Sequence, residues 1–107
     1  MKIVGITACP TGIAHTYITR EKLMEAARGR GHECKVETQG SIGTENELTA
    51  KDIREADVVI LAVDVKISGE ERFKGKPLVK VPTETVMQNA SGLVEVVERK
   101  LKSAGKI

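Results

Sequence analysis

Apolar and polar positions along this chain follow a pattern that predicts strands separated by helices. Apolar residues fill Val58–Val63 (VVILAV) without a break, which is typical of a central parallel strand covered on both faces. Shorter strands are predicted at Lys2–Ala8, which is rich in β-branched residues, at residues 34–38, where the pattern alternates, and at Leu78–Val81. The pattern therefore predicts four strands.

Helical patterns lie between and after these strands. Residues 14–30 favour a helix, and residues 49–55 favour a short one in which Thr49 and Asp52 approximate a capping box. Ser91 is the predicted N-cap of a last helix. Beyond it, one apolar face is formed by Leu93, Val97 and Leu101. The order β-α-β-α-β-loop-β-α predicts an α/β fold, an open four-stranded parallel sheet with helices on both faces, in a Rossmann-like three-layer sandwich.

Composition narrows the classes of protein to consider. A length of 107 residues predicts one domain, 1–107. Seventeen basic and fifteen acidic residues alternate in sign, and the aromatic residues are Tyr17 and Phe73, so nucleic-acid binding is not expected. The absence of a long apolar run or a signal-peptide pattern predicts a cytosolic protein that does not insert into the membrane.

The candidate chemistry lies at residues 5–17, GITACPTGIAHTY, where the first strand ends. In a parallel sheet, ligands bind beyond the carboxyl ends of the strands, and the following helix begins at that edge with unpaired N–H groups that attract anions. A thiol at this position should have a lowered pKa, which favours the nucleophilic thiolate. Cys9 is therefore predicted to be a nucleophile beside a phosphate-binding loop. The predicted loop comprises Pro10, Thr11, Gly12, Ile13, Ala14, His15, Thr16 and Tyr17.

Each of these features also has a purely structural interpretation. A cysteine is often a small buried apolar residue, and a glycine after a strand often only makes a turn. Cys34, on the second predicted strand, is interpreted as a packing residue of this kind. The two cysteines do not form a C-x-x-C motif, and no His or Cys pair has the spacing of metal ligands. A structural disulfide, a metal site and a cofactor are therefore not expected. The features around Cys9 favour function because they coincide at one turn.

Low-molecular-weight tyrosine phosphatases and arsenate reductases place a similar loop, C-x5-R-[ST], after their first strand. Here His15 stands where that pattern has arginine, and imidazole does not clamp a phosphoryl group with two parallel hydrogen bonds as guanidinium does. Those enzymes also use an aspartate before a proline, whereas Asp52, Asp57 and Asp64 are followed by Ile, Val and Val. The loop is therefore predicted to hold phosphate without the groups that hydrolyse it.

The string TACPTGIAHTY closely resembles the phosphorylation loop of the fructose-type IIB component of the bacterial phosphoenolpyruvate-dependent sugar phosphotransferase system (PTS). VETQGSIGTENELT (residues 36–49), ADVVILAVD (56–64) and RFKGKP (72–77) resemble further blocks of the same family, so the resemblance covers the whole chain. Departures fall at Ile18, Thr19 and in SGEERF (68–73), and they concern partner or sugar preference.

This resemblance implies a phosphoryl carrier of sugar uptake. A phosphohistidine on a IIA partner would phosphorylate Cys9, and the phosphocysteine would pass the group to a sugar, fructose in this family, bound by the membrane component IIC. The carrier would be cytoplasmic and associate transiently with the inner face of the membrane through IIC. His15 would add charge or a hydrogen bond to the loop, or would be a solvated helix cap. Neighbours expected at the same edge are Gln39, Gly40, Ser41 and Asp64.

Two other functions remain open at this point. One is a cysteine-dependent phosphatase or arsenate reductase, and the other is a non-catalytic regulatory module that binds an anion. Three cations are candidate contacts for an acidic partner, with simple solvation of the surface as the alternative: Arg20, Lys22 and Arg72. The sugar, the oligomeric state and whether the chain is freestanding or part of a longer polypeptide are not specified by these residues.

Overall fold

The computed structural model describes residues 1–8, 13–40, 43–103 and 105. Over these residues the chain forms a five-stranded sheet with helices on both faces, which confirms the predicted α/β fold. The strands are β1 (Lys2–Ala8), β2 (Glu33–Gly40), β3 (Gly43–Glu45), β4 (Val58–Val63) and β5 (Leu78–Val81). Their order across the sheet is β3-β2-β1-β4-β5.

The four predicted strands are parallel to one another. Strand β1 lies between β2 and β4, and β5 lies on the far side of β4. The sequence did not predict β3, which pairs antiparallel with β2 and makes the sheet a mixed one of five strands. All three residues of β3 are exposed, so it has no apolar alternation from which a strand could be predicted.

The described helices lie in two layers. On one face are α1 (Ile13–Gly29) and α3 (Thr83–Ser103), which pack against each other. On the other face are α2 (Ala50–Glu55) and a short 3-10 helix (Glu70–Phe73). In the described part of the chain, no helix combines the length and apolar character needed to cross a membrane.

Helix α2 begins with the predicted capping box. The hydroxyl of Thr49 accepts a hydrogen bond from the backbone N–H of Asp52 at 3.1 Å, and the Asp52 carboxylate accepts one from the N–H of Thr49 at 2.9 Å. Lys35 on β2 also donates to this carboxylate at 2.7 Å. These contacts hold the first turn of α2 against β2.

The start of the last helix was predicted wrongly. Helix α3 begins at Thr83 and is interrupted at Asn89, whose φ of −160° and ψ of 75° are not helical. The Asn89 side chain accepts a hydrogen bond from the backbone N–H of Gly92 at 3.0 Å. Asn89 rather than Ser91 therefore caps the second half of the helix, since the side-chain oxygen of Asn89 accepts a hydrogen bond from the N–H three residues later.

The core lies on both faces of the sheet, because successive side chains of a strand point to opposite faces. Ile3 and Ile60 pack with α1 and α3, and in this cluster the predicted face of α3 is buried. On the opposite face, Val4 and Leu61 pack with α2 and the 3-10 helix, around Phe73. The alternation places β1 and β4 at the centre of the molecule.

Candidate functional site

The candidate site lies at the carboxyl edge of the parallel strands. Ala8 is in register with Gln39 of β2 on one side and with Val63 of β4 on the other. Helix α1 begins at Ile13, so only a short connection separates the end of β1 from the start of the helix. This is the edge at which parallel α/β sheets bind ligands, as the sequence predicted.

Several predicted site residues fall outside the part of the chain that is described. They are Cys9, Pro10, Thr11, Gly12 and Ser41. The structure places Ile13, Ala14 and His15 in the first turn of α1, and Gly40 at the end of β2, but describes the backbone alone there. The role of His15 therefore stays a prediction.

A buried hydroxyl on β1 holds the first turns of α1. The Thr7 hydroxyl donates a hydrogen bond to the backbone carbonyl of Thr16 at 3.3 Å, and both residues are buried. One turn of helix is thereby fixed to the strand that precedes Cys9 in the chain. The start of α1 is thereby held at the carboxyl edge, and a helix N-terminus attracts anions there.

Tyr17 contacts the edge strand β3. Its hydroxyl donates a hydrogen bond to the Glu45 carboxylate, which raises the pKa of Tyr17 above its ordinary value. The Arg20 guanidinium lies over the Tyr17 ring, 5.1 Å from its centroid, and also forms an ion pair with Glu21 at 2.9 Å. These contacts link α1 to β3 beside the candidate site.

Asp64 lies at the predicted edge, immediately after β4. Its backbone N–H donates to the carbonyl oxygen of Ala8 at 2.9 Å. Its carboxylate accepts hydrogen bonds from the backbone N–H of Thr83 at 3.0 Å and from the Thr83 hydroxyl at 2.5 Å. Asp64 thus satisfies a free N–H at the start of α3 and links β1, β4 and α3.

Gln39 also lies at this edge, and its side chain binds the loop that follows β4. The Gln39 amide nitrogen donates to the carbonyl oxygen of Ser68 at 2.9 Å. The amide oxygen accepts a hydrogen bond from the backbone N–H of Ser68, also at 2.9 Å. Gln39 therefore satisfies both backbone polar groups of one loop residue.

Glu37, two residues earlier on β2, is a fully buried carboxylate. It accepts hydrogen bonds from both terminal nitrogens of Arg72 at 3.0 Å, from Gln39 at 2.7 Å and from the backbone N–H of Leu48 at 2.9 Å. Burial raises the pKa of Glu37, but the hydrogen bonds from Arg72, Gln39 and Leu48 outweigh it and lower the pKa below its ordinary value. Glu37 therefore stays ionised at neutral pH.

Arg72 is therefore not the free surface cation that the sequence suggested. Besides the two bonds to Glu37, its Nε donates to the carbonyl oxygen of Gly69 at 2.7 Å, and its guanidinium lies 5.1 Å from the centroid of the Phe73 ring. The sequence did not predict this pair, because a polar residue that alternates with apolar Val36 on a strand is expected to face solvent. The loop and 3-10 helix that cover that face become apparent only in the folded chain.

Cys34 has the packing role that the sequence predicted. It lies beside Ile3 at the opposite end of β1 from the candidate site, and it packs against the core under α1 and α3. Burial raises the pKa of the Cys34 thiol to about 11. The thiol is therefore protonated at neutral pH, and its position excludes it from the chemistry of the candidate site.

Comparison with known proteins agrees with this geometry. Residues 4–96 match the family described as "PTS system, Lactose/Cellobiose specific IIB subunit". The chain is 51% identical over 100 residues to the fructose-like EIIB component 2 of the PTS from Escherichia coli strain K12, with 94% of each chain covered.

Two solved structures share the fold. One is the solution structure of an enzyme IIB subunit of the PTS from Escherichia coli K12, with a TM-score of 0.91 and 38% identity, covering 97% of this chain and 96% of that one. The other is a crystal structure of a domain from the fructose-specific IIABC component of Borrelia burgdorferi. Its TM-score is 0.84 at 50% identity, covering 88% of this chain and 89% of that domain.

Proposed function

This chain belongs to the PTS IIB family, whose components act in phosphoryl transfer during sugar uptake, and we propose that Cys9 carries the phosphoryl group. The observation that carries the proposal is the position of residue 9, directly after Ala8 at the carboxyl edge and four residues before the first residue of α1. Free backbone N–H groups at the start of that helix favour an anion there, both as the thiolate and as the phosphorylated thiol.

Two transfers make up the proposed reaction. In the first, the Cys9 thiolate attacks the phosphorus of a phosphohistidine on a IIA protein, the P–S bond forms, and the P–N bond breaks to release imidazole. In the second, a sugar hydroxyl attacks the phosphorus, loses its proton, and displaces the Cys9 thiolate. A thiolate suits both steps because it attacks readily and also leaves readily. Backbone N–H groups of residues 11–16 would stabilise the phosphoryl oxygens in both steps.

The loop is proposed to comprise Pro10, Thr11, Gly12, Ile13, Ala14, His15, Thr16 and Tyr17. No arginine follows Cys9 at the position where cysteine phosphatases have one. This favours a carrier, because a relay must keep its phosphocysteine from water until the acceptor arrives. The whole chain, 1–107, is proposed to be a single IIB domain working in the cytoplasm, which meets the membrane through a IIC component.

Fructose is the proposed sugar. The description of the matched family names lactose and cellobiose, whereas the descriptions of the individual relatives name fructose. The relative that is 51% identical is a fructose-like component, and the domain with 50% identity is from a fructose-specific protein. Identity at this level over nearly the whole chain supports fructose more strongly than the broad family description does.

Intact mass tests the proposal directly. The wild-type chain is incubated with phosphoenolpyruvate, the general PTS proteins and a fructose-type IIA protein, beside Cys9→Ser and a matched Cys34→Ser control. We expect one phosphoryl group on the wild type and on Cys34→Ser, and none on Cys9→Ser. Adding membranes that contain a fructose-type IIC with fructose should then discharge the group to the sugar.

The alternative functions predict different results. A phosphatase would hydrolyse an aryl phosphate without any partner protein, and an arsenate reductase would reduce arsenate once a thiol reductant is supplied. A regulatory module that only binds anions would acquire no covalent phosphoryl group, even with the IIA donor verified as phosphorylated. Either result would contradict the carrier function.

A further inference from the structure

The chain segment that follows β4 runs along the carboxyl edge of the sheet, where the candidate site lies. Residues 64–68 start at Asp64, whose N–H is bonded to the carbonyl oxygen of Ala8 on β1. They end at Ser68, which is bonded to Gln39 on β2. Since β1 lies between β4 and β2, this segment passes across the carboxyl end of β1. Residues 64–68 are called the strap below.

The strap lies on the sheet face opposite α1. Its residue Ile67 is buried in the cluster that contains Ala8, Val63 and Phe73, whereas α1 packs on the other face. The neighbouring strap residues Val65 and Lys66 are exposed. Helix α1 therefore lies on one face of the sheet, while the strap packs beside Ala8 on the other face.

The far end of the strap is held by side chains rather than by strand pairing. Gln39 bonds both backbone polar groups of Ser68, and Gln39 is itself bonded to the buried carboxylate of Glu37 at 2.7 Å. Arg72 connects Glu37 to the carbonyl of Gly69, the next residue along the chain. The strap therefore ends on a network whose central charge is buried, so its position is closely fixed.

We propose that Gln39 is a positioning residue for the Cys9 phosphoryl site, acting through the strap that it fastens across the carboxyl end of β1. The hydrogen bond from Asp64 to the Ala8 carbonyl fixes the peptide unit that leads into residue 9. Removing the two Gln39 bonds leaves Ser68 with the weaker 3.4 Å hydrogen bond from Arg72, so the strap and the Ala8 peptide loosen. Under the proposed function, that peptide leads to the thiol whose pKa is lowered by the start of α1, so loosening it should raise that pKa. This inference rests on the proposed function of Cys9 as the phosphoryl carrier.

Gln39→Met tests this with little risk to folding. Methionine has a similar length, position 39 is only half-buried, and Arg72 and the Leu48 N–H still satisfy Glu37. Gln88→Met is the matched control, because Gln88 is exposed on α3 and bonded only to Glu84 among the described contacts. Both variants are made in a Cys34→Ser background, so that alkylation reports on Cys9 alone.

Two readouts are taken on each variant well below its melting temperature. The first is the pH profile of Cys9 alkylation by iodoacetamide, in which we expect Gln39→Met to raise the apparent thiol pKa by about one unit. The second is the single-turnover rate of phosphoryl transfer from phosphorylated IIA, which we expect to fall about tenfold or more. Gln88→Met should match the wild type in both.

Two results would overturn the proposal. Equal alkylation profiles and transfer rates in the two variants would show that the strap does not position the site. Slower transfer with an unchanged alkylation profile would instead place Gln39 in the contact with the IIA protein. If the parent chain accepts no phosphoryl group, the proposed function fails, but the alkylation profiles still decide whether the strap positions Cys9.

Discussion

The guanidinium of Arg72 donates to both carboxylate oxygens of Glu37, at 3.0 Å each, and the Glu37 side chain is almost completely buried. This pair joins β2 to the 3-10 helix across the loop that follows β4. A buried, ionised carboxylate needs such partners, because only well-aligned hydrogen bonds offset the free-energy cost of removing it from water. Removing one member of the pair should therefore lower the free energy of unfolding more than replacing both.

Arg72→Met should destabilise the protein by about 3–5 kcal/mol, because it leaves the buried Glu37 charge without its cation. Glu37→Gln combined with Arg72→Met should recover most of this loss, since the uncompensated charge is then gone. Urea unfolding at neutral pH measures both free energies. A double variant as unstable as Arg72→Met would contradict this explanation.

Arg99→Met is the matched control for that experiment. Arg99 pairs with Glu95 one turn away on α3, and its side chain is 72% exposed. Removing an exposed pair of this kind should change the free energy of unfolding by less than about 1 kcal/mol. Both variants lose an arginine, so the difference between their free energies of unfolding reports the effect of burying the ion pair.

Stability should depend on pH through Glu98, at the opposite end of the sheet from the candidate site. Hydrogen bonds from Arg30, and then from His32, lower the pKa of Glu98 to about 2 from an ordinary 4.5. A lowered pKa means that the stabilisation is complete above the ordinary value and is lost as the pH falls toward 2. Glu98→Gln should therefore remove about 1 kcal/mol of stability at neutral pH and almost none near pH 2.

Urea unfolding at several pH values between about 2 and 7 checks this slope. Glu95→Gln serves as its control, because Glu95 is on the same helix with an exposed partner. A constant difference between wild type and Glu98→Gln across this range would contradict the assigned pKa.

The sequence predicted the parts of the fold that are specified by a local pattern of apolar and polar residues. Val58–Val63 has the predicted bounds, because a strand covered on both faces needs an unbroken apolar run. Leu78–Val81, a partly exposed strand at the edge of the sheet, also has the predicted bounds. The predicted edge for Gln39 and Asp64 also follows from topology alone, since parallel strands end on one side. Local chemistry likewise predicted the α2 capping box.

The missed features depend on contacts between distant residues. The start of α3 at Thr83 is fixed by Asp64, nineteen positions earlier, and no local pattern marks that pairing. Strand β3 is wholly exposed, and the charge of Glu37 is buried by a loop contributed from later in the chain. Such features require the tertiary fold, so sequence periodicity does not reveal them.

The break in α3 gives a test of its capping residue. Asn89→Ala should destabilise the protein by about 1 kcal/mol, because the Gly92 N–H loses its acceptor. Ser91→Ala should have almost no effect, since Ser91 is exposed within the helix that Asn89 caps. Thermal or urea unfolding of the two variants distinguishes them, and a larger loss for Ser91→Ala would restore the capping role that the sequence first suggested.

The two cysteines should differ sharply in reactivity. With a pKa of about 11, Cys34 is ionised in only about one molecule in ten thousand at pH 7, and its packing under α1 further limits access. Under the proposed function, the start of α1, four residues after Cys9 in the chain, should instead favour the Cys9 thiolate. Iodoacetamide applied to the native protein should therefore label Cys9, whereas denatured protein should be labelled at both positions. Peptide mapping by mass spectrometry reads the sites, and rapid native labelling of Cys34 would contradict the packing role assigned to it.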